Sequence, residues 1–151
     1  MKIAFQVPSV ASPQGSKTYV GRGRMVESSK NVAPYRALVS LVASSMMAER
    51  KQEIVQSGPV AIALTFAFPR PKAHYRKDGT VRENAPLFVV TTPDIDKAVR
   101  STLDALTGIC FANDNQVADL PGVRKIYTNG GGYVNVVVWS FDAITGEGHD
   151  K

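Results

Sequence analysis

Thr92-Pro93-Asp94-Ile95-Asp96-Lys97-Ala98-Val99-Arg100-Ser101-Thr102-Leu103-Asp104-Ala105-Leu106-Thr107-Gly108 is the stretch around which the rest of the chain falls into place. Ile95, Ala98, Val99, Thr102, Leu103 and Leu106 recur at i, i+3, i+4, i+7, i+8 and i+11, the spacing of one apolar stripe on a helix. Asp96, Arg100 and Asp104 recur every four residues and predict a polar line facing away from the core. Thr92 before Pro93 predicts an N-cap with proline in the first turn, and Gly108 predicts the stop.

Asp94 and Asp96 fall in the first turn, where unsatisfied N–H groups and the positive end of the helix dipole favour carboxylates. Stability alone accounts for them. Two such acids, with Asp114 returning after a short connection, also offer hard oxygen ligands to a divalent cation. Asp104 lies about 12 Å along the axis from Asp96 at 1.5 Å per residue and is expected to support structure.

The run Pro93-Asp94-Ile95-Asp96-Lys97, then Leu103-Asp104-Ala105-Leu106-Thr107-Gly108, then Asn113-Asp114-Asn115-Gln116-Val117 resembles the signature of the RusA family of Holliday junction resolvases. Phe68-Pro69-Arg70-Pro71-Lys72, Val7-Pro8, Pro13-Gln14-Gly15-Ser16-Lys17 and Tyr35-Arg36 resemble segments of its phage-type members, so the likeness covers nearly the whole chain. It implies that Asp94, Asp96 and Asp114 hold Mg²⁺, with Mn²⁺ as a plausible substitute. It also implies catalytic roles for Lys97 and Arg100, four-way or other branched DNA as partner, a homodimer and ligatable nicks. Three departures stand out. Lys97 replaces the usual Asn and Arg100 the usual Lys, exchanging a proton-donating ammonium for a guanidinium better suited to clamping phosphate. Asn113-Asp114 replaces paired acids, leaving a neutral amide oxygen where a carboxylate is usual.

At 151 residues the chain fits one domain, expected over 1–145 with a disordered polar tail over 146–151. Its mean hydropathy of -0.09 suits a globular protein and excludes a disordered one. No apolar run approaches the roughly 18 residues needed to cross a bilayer, and no signal-peptide pattern opens the chain, so the expected compartment is the cytoplasm. The single cysteine, Cys110, sits in apolar Ile109-Cys110-Phe111 and is expected in the core.

The formal net charge is +5, and from Met1 to Arg36 six basic residues face one acid, Glu27. That imbalance suits a polyanion, whose condensed counterions are released on binding. Lys17, Arg22 and Arg24 in the Gly/Ser/Pro-rich stretch 9–30, and Lys72, Arg76 and Lys77 in 69–91, are the candidate DNA contacts, with Lys125 from a later strand. His74 is a weak candidate for a base or metal ligand.

Residues 2–7 alternate as a first strand, 31–56 predict a second long helix, and 60–68 predict a central strand apolar on both faces. Residues 123–127 and 133–139, joined by Asn129-Gly130-Gly131-Gly132, predict a hairpin. Together these give an α/β class: a small mixed sheet packed with two main helices, RusA-like. The function expected is Mg²⁺-dependent resolution of Holliday junctions by paired symmetric nicks. The alternatives are a non-catalytic branched-DNA-binding protein of the same fold and a metal-dependent phosphohydrolase acting on a small phosphate ester.

Overall fold

Alternation along the first six-residue run is met as its residue types require: β1 (Lys2–Val7) buries Ile3, Phe5 and Val7 and exposes Lys2, Ala4 and Gln6. The structure, a computed structural model, describes residues 1–15, 17–27 and 30–148; the side chains of 17, 18 and 25–27 lie outside that description. The elements continue as β2 (Lys17–Tyr19), β3 (Met25–Glu27), α1 (Val32–Glu49), β4 (Val60–Pro69), α2 (Ile95–Leu106), β5 (Val117–Asp119), β6 (Arg124–Thr128) and β7 (Tyr133–Ser140). Single 3₁₀ turns occupy Lys72–His74 and Asp114–Gln116.

The main sheet is mixed and runs β1, β7, β4, then β5 and β6 one after the other along the same edge of β4. β7 is antiparallel to both β1 and β4, whereas β5 and β6 are parallel to β4. Register puts Phe5 opposite Val136 and Val136 opposite Leu64, with Ile3, Val138 and Ile62 in the next row and Val7, Val134 and Phe66 in the row beyond. These alternate residues form one continuous apolar face. Tyr35, Val39, Ala43 and Met47 of α1 and Ala98, Ala105 and Leu106 of α2 join that same core. The fold is therefore a two-layer α/β arrangement with both helices on one face of the sheet.

Helix α2 matches the expected span, but two features differ. Asp94, not Thr92, is the N-cap residue, and Pro93 precedes the helix through a cis peptide bond. The buried face is also turned: Ala98, Ser101, Thr102, Ala105 and Leu106 are buried, while Val99 and Leu103 are half-buried and Ile95 is exposed. Small side chains let the two helices approach, and the contact is partly polar. Tyr35 Oη and Thr102 Oγ1 lie 2.8 Å apart, and Ser40 Oγ donates to Ala105 O at 2.9 Å.

Helix α1 stops at Glu49, short of the expected end at residue 56. Val55 instead bridges to Phe111, donating to Cys110 O and accepting from Ala112 N, so sheet-like pairing claims residues that could have continued the helix. Within 9–30, expected as one loop, β2 and β3 form a two-stranded ribbon.

The expected hairpin is overturned: β6 and β7 do not pair with each other, because β4 lies between them. Ala67 is opposite Ile126 on one side and Tyr133 on the other. β4 is apolar on both faces and both its edges need partners, so the short link 129–132 crosses over its end. Gly132 makes the crossing possible. A Cβ there would overlap Val10 Cγ2 and lie 3.0 Å from Ala67 O.

Of the polar tail, Glu147 and Gly148 fold back on the strand end, with Asp142 N donating to Glu147 O and Phe141 bridging Gly148; residues 149–151 lie outside the described residues. No helix among the described residues is long and apolar enough to cross a membrane.

Candidate active site

The outward side of α2 is partly covered by the chain that follows β1. Gln14 N donates to Lys97 O at 3.1 Å and Ser101 Oγ to Ser12 O at 2.5 Å, which fastens residues 12–15 along the helix. Gly15 then passes directly over Arg100. A Cβ there would stand 3.0 Å from Arg100 Nη1, so a residue without a side chain brings the backbone against the guanidinium. Gln14 Nε2 donates to Asp104 Oδ2 at 2.5 Å, and Arg36 Nη1 reaches Gln14 Oε1 at 3.4 Å and Asp104 Oδ2 at 4.0 Å. Asp104 thus holds the N-terminal segment and α1 to α2, the supporting role its axial position implied.

Asp114 comes from a separate element. It opens the turn Asp114–Gln116, where Asn113 and Gln116 form a reciprocal capping box and Gln116 Oε1 accepts Asn113 N at 2.8 Å. Gln116 Nε2 also donates to Val55 O at 3.2 Å and Gly58 O at 3.0 Å. The turn is anchored to the entry of β4, and Asn113 caps it.

Asp96, Arg100, Asp104 and Asp114 line one cleft of about 450 Å³, together with Gln14, Gly15 and the apolar floor Val99, Leu103, Val117 and Leu120. The polar line of α2 therefore faces this cleft. A second concavity of about 520 Å³ is lined by Asp94, Asp96, Arg124 and Lys125 with Phe88, Val89, Ile95 and Val123. Asp96 belongs to both. Lys97 Nζ is 3.5 Å from Asp94 Oδ2, one helical turn away. A third concavity, about 640 Å³, lies around Val10, Tyr35, Leu38, Phe68 and Pro93 and holds no acidic side chain.

Lys125 holds the turn that delivers Asp94. Its Nζ donates to Thr91 O at 2.7 Å and Pro93 O at 2.8 Å. Phe88 bridges to Ile126, while Val89 N donates to Lys125 O and Tyr127 N to Leu87 O, so the end of the 69–91 connection is paired along β6.

The remaining basic candidates are spread over two outlying features. Arg22 and Arg24 are exposed at the tip of the β2–β3 ribbon, near exposed Tyr19; Lys17 lies in β2, with its side chain outside the description. Lys72, Arg76 and Lys77 are exposed on the 69–91 connection, with Arg76 Nη2 3.8 Å from Glu83. Arg70 ties that connection down through Pro86 O and Asn129 Oδ1. His74 packs edge-on against Tyr127, its ring centroid 4.8 Å away, and lies 3.4 Å from Arg70, a structural setting.

Burial argues against other nucleophiles. Burial pushes the Cys110 thiol up to about 12, and burial also pushes the Tyr35 phenol up to about 12 against the smaller opposing effect of Thr102. On the surface connection, hydrogen bonds from the Thr80 side chain and backbone hold Asp78 below its ordinary value.

Acids from two elements thus meet an arginine across one cleft, in the sequence order noted for the resolvase signature. A family model described as endodeoxyribonuclease RusA matches residues 7–138. The chain belongs to the RusA family. A 96-residue stretch is also 32% identical to the uncharacterized protein YqaN of Bacillus subtilis (strain 168), covering 62% of this chain and 64% of that protein. In this RusA member Asp96, Asp114 and Arg100 share a cleft, Asp94 and Lys97 flank it at the helix start, Lys125 lines the neighbouring concavity with Asp94, and Arg22, Arg24, Lys72, Arg76 and Lys77 stand apart. Among the described residues no three acidic, His or Cys side chains gather closely enough to hold a metal by themselves. Gln14 was legible only as part of the family-like segment Pro13-Gln14-Gly15-Ser16-Lys17 and Phe88 carried no local signal; only the folded chain brings them to α2.

Proposed function

We propose that this protein is a divalent-cation-dependent endonuclease that resolves four-way DNA junctions by paired nicks. The observation that carries the reading is that Asp96 of α2 and Asp114 of a separate anchored turn line one cleft with Arg100, in a chain of the RusA family. Asp96 and Asp114, with Asp94 at the rim, are the residues that would hold Mg²⁺ or Mn²⁺. Mg²⁺ keeps several waters and is commonly held by one or two carboxylates together with substrate phosphate, which suits carboxylates that do not form a closed cage. Once bound, such a cation supplies an activated water and offsets charge on the phosphoryl oxygens.

The chain's own residues do the rest. Arg100, backed by the Gly15 backbone, presents planar donors that clamp a phosphate in two-point fashion. Lys97 offsets the charge of Asp94. The ribbon tip with Arg22 and Arg24, Lys17 of β2, and the connection bearing Lys72, Arg76 and Lys77 supply phosphate contacts for the arms of the substrate. A homodimer completes the scheme, because two symmetric nicks need two sites related by a two-fold axis.

Cleavage of a labelled four-way junction, compared with a linear duplex of the same sequence in Mg²⁺ and in chelator, tests this. Paired nicks confined to the junction and to Mg²⁺ are expected. Asp96→Asn should lower the nicking rate on the order of 10²–10³-fold while retaining junction binding, the loss of several kcal/mol of charge stabilisation. The lack of a three-carboxylate cluster among the described residues favours, as a second reading, a branched-DNA-binding protein without catalysis. Tight junction binding with no nicks in Mg²⁺ would select it. No junction binding at moderate salt would point to a small phosphate ester instead.

A further inference from the structure

The second concavity mixes chemistries that phosphate binding alone does not require. Phe88 is 53% exposed and Ile95 38% exposed, beside Val123, Arg124 and both acids at the start of α2. The backbone holds the exposed ring of Phe88 in place. Phe88 bridges to Ile126, and its neighbours are hydrogen-bonded to β6 through Val89 N to Lys125 O at 3.1 Å and Tyr127 N to Leu87 O at 2.8 Å. Lys125 secures the following turn to the same strand. The ring is thus presented on a strand-like support, with Val89 buried beneath it.

We propose that this concavity is a nucleobase subsite: Phe88 stacks on an unpaired base next to the phosphate that a divalent cation held at Asp94 and Asp96 would engage, and Arg124 contacts its edge or the adjoining phosphate. The inference rests on the nuclease reading and deepens it, by naming what distinguishes a branch point from duplex. A base at a branch can leave its stack at little cost, and stacking on an aromatic ring is indifferent to which base it is. The apolar floor suits the face of a base, and the charged rim suits its sugar-phosphate.

The test measures binding of the full-length protein to a synthetic four-way junction and to a linear duplex, with Phe88→Ala and Phe88→Tyr, and with abasic substitutions at each nucleotide flanking the branch. Phe88→Ala should weaken junction binding roughly 5- to 150-fold, the range of one lost base stack, and leave duplex binding unchanged. Phe88→Tyr should keep wild-type affinity. An abasic position at the contacted nucleotide should cost the wild type the same factor and cost Phe88→Ala nothing further. Equal junction affinity for Phe88→Ala, an equal loss on duplex, or independent losses with the abasic junction would overturn the subsite. So would conversion of a dimer to a monomer by Phe88→Ala in light scattering, which would make the surface a subunit contact. In all those cases wild-type binding and nicking still stand, so the nuclease reading survives. A wild-type protein that neither binds nor nicks the junction overturns both.

Discussion

Replacing Lys125 by methionine asks whether its ammonium holds the turn that carries Asp94. Lys125 Nζ donates to Thr91 O at 2.7 Å and to Pro93 O at 2.8 Å, and methionine keeps most of the stem while removing both bonds. Hydrogen bonds from a charged donor contribute about 1.5–3 kcal/mol where water cannot replace them. Thr91 is exposed and its carbonyl recovers much of that from solvent, whereas Pro93 is half-buried. The sum comes to about 2–3 kcal/mol. In a chain of 151 residues each kcal/mol moves the thermal midpoint by roughly 2–4 °C, so a fall of about 5–10 °C is expected in circular-dichroism melts, matched by urea unfolding. The slope of log affinity against log salt on duplex DNA should stay the same. Were Lys125 chiefly a phosphate contact, stability would hold and the slope would shrink by about 0.9, and that pair of results would refute the anchoring role.

Two further perturbations probe the framework. Gly132→Ala should destabilise by about 2 kcal/mol in urea unfolding, because the added methyl meets Val10 and the Ala67 carbonyl where the chain crosses β4; a neutral outcome would argue for an open hairpin turn. The buried Tyr35 phenol, held at about 12 against 10.0 in the unfolded chain, favours the neutral form, so its contribution is complete below pH 10 and is lost as pH rises towards 12. Between those limits wild type should lose about 1.4 kcal/mol per pH unit more than Tyr35→Phe, and parallel pH profiles of unfolding would contradict the burial of that hydroxyl.

Helix α2 was legible because its period, its acids and its stop are local properties. So was β1, whose alternation answers to one buried face. The buried side of α2 was read a little off because hydrophobicity marks Val99 and Leu103. The close approach of α1 instead selects the small Ala98 and Ala105, with Thr102 bonded to Tyr35, Ser101 is buried beneath Ser12, and the larger residues are released to floor the cleft. The end of α1 was misjudged for a similar reason: Val55 has a partner in Phe111, 56 residues away, that no local pattern reveals.

The site divides along the same line. The acids, their order along the chain and the excess of positive charge are matters of sequence, and with the family resemblance they carry the expectation of a polyanion and a hard cation as partners. Which acids share a cleft depended on tertiary structure, as did the contact of Gly15 with Arg100 and the seating of Phe88 beside Asp94. Glycines between two alternating strands favour a hairpin on local grounds. The need of the doubly buried β4 for hydrogen-bonded neighbours on both edges outweighs that preference and sends the chain across its end. Turn chemistry acts over a few residues and can be read from them; backbone pairing and burial act across the whole chain and are decided only when it folds.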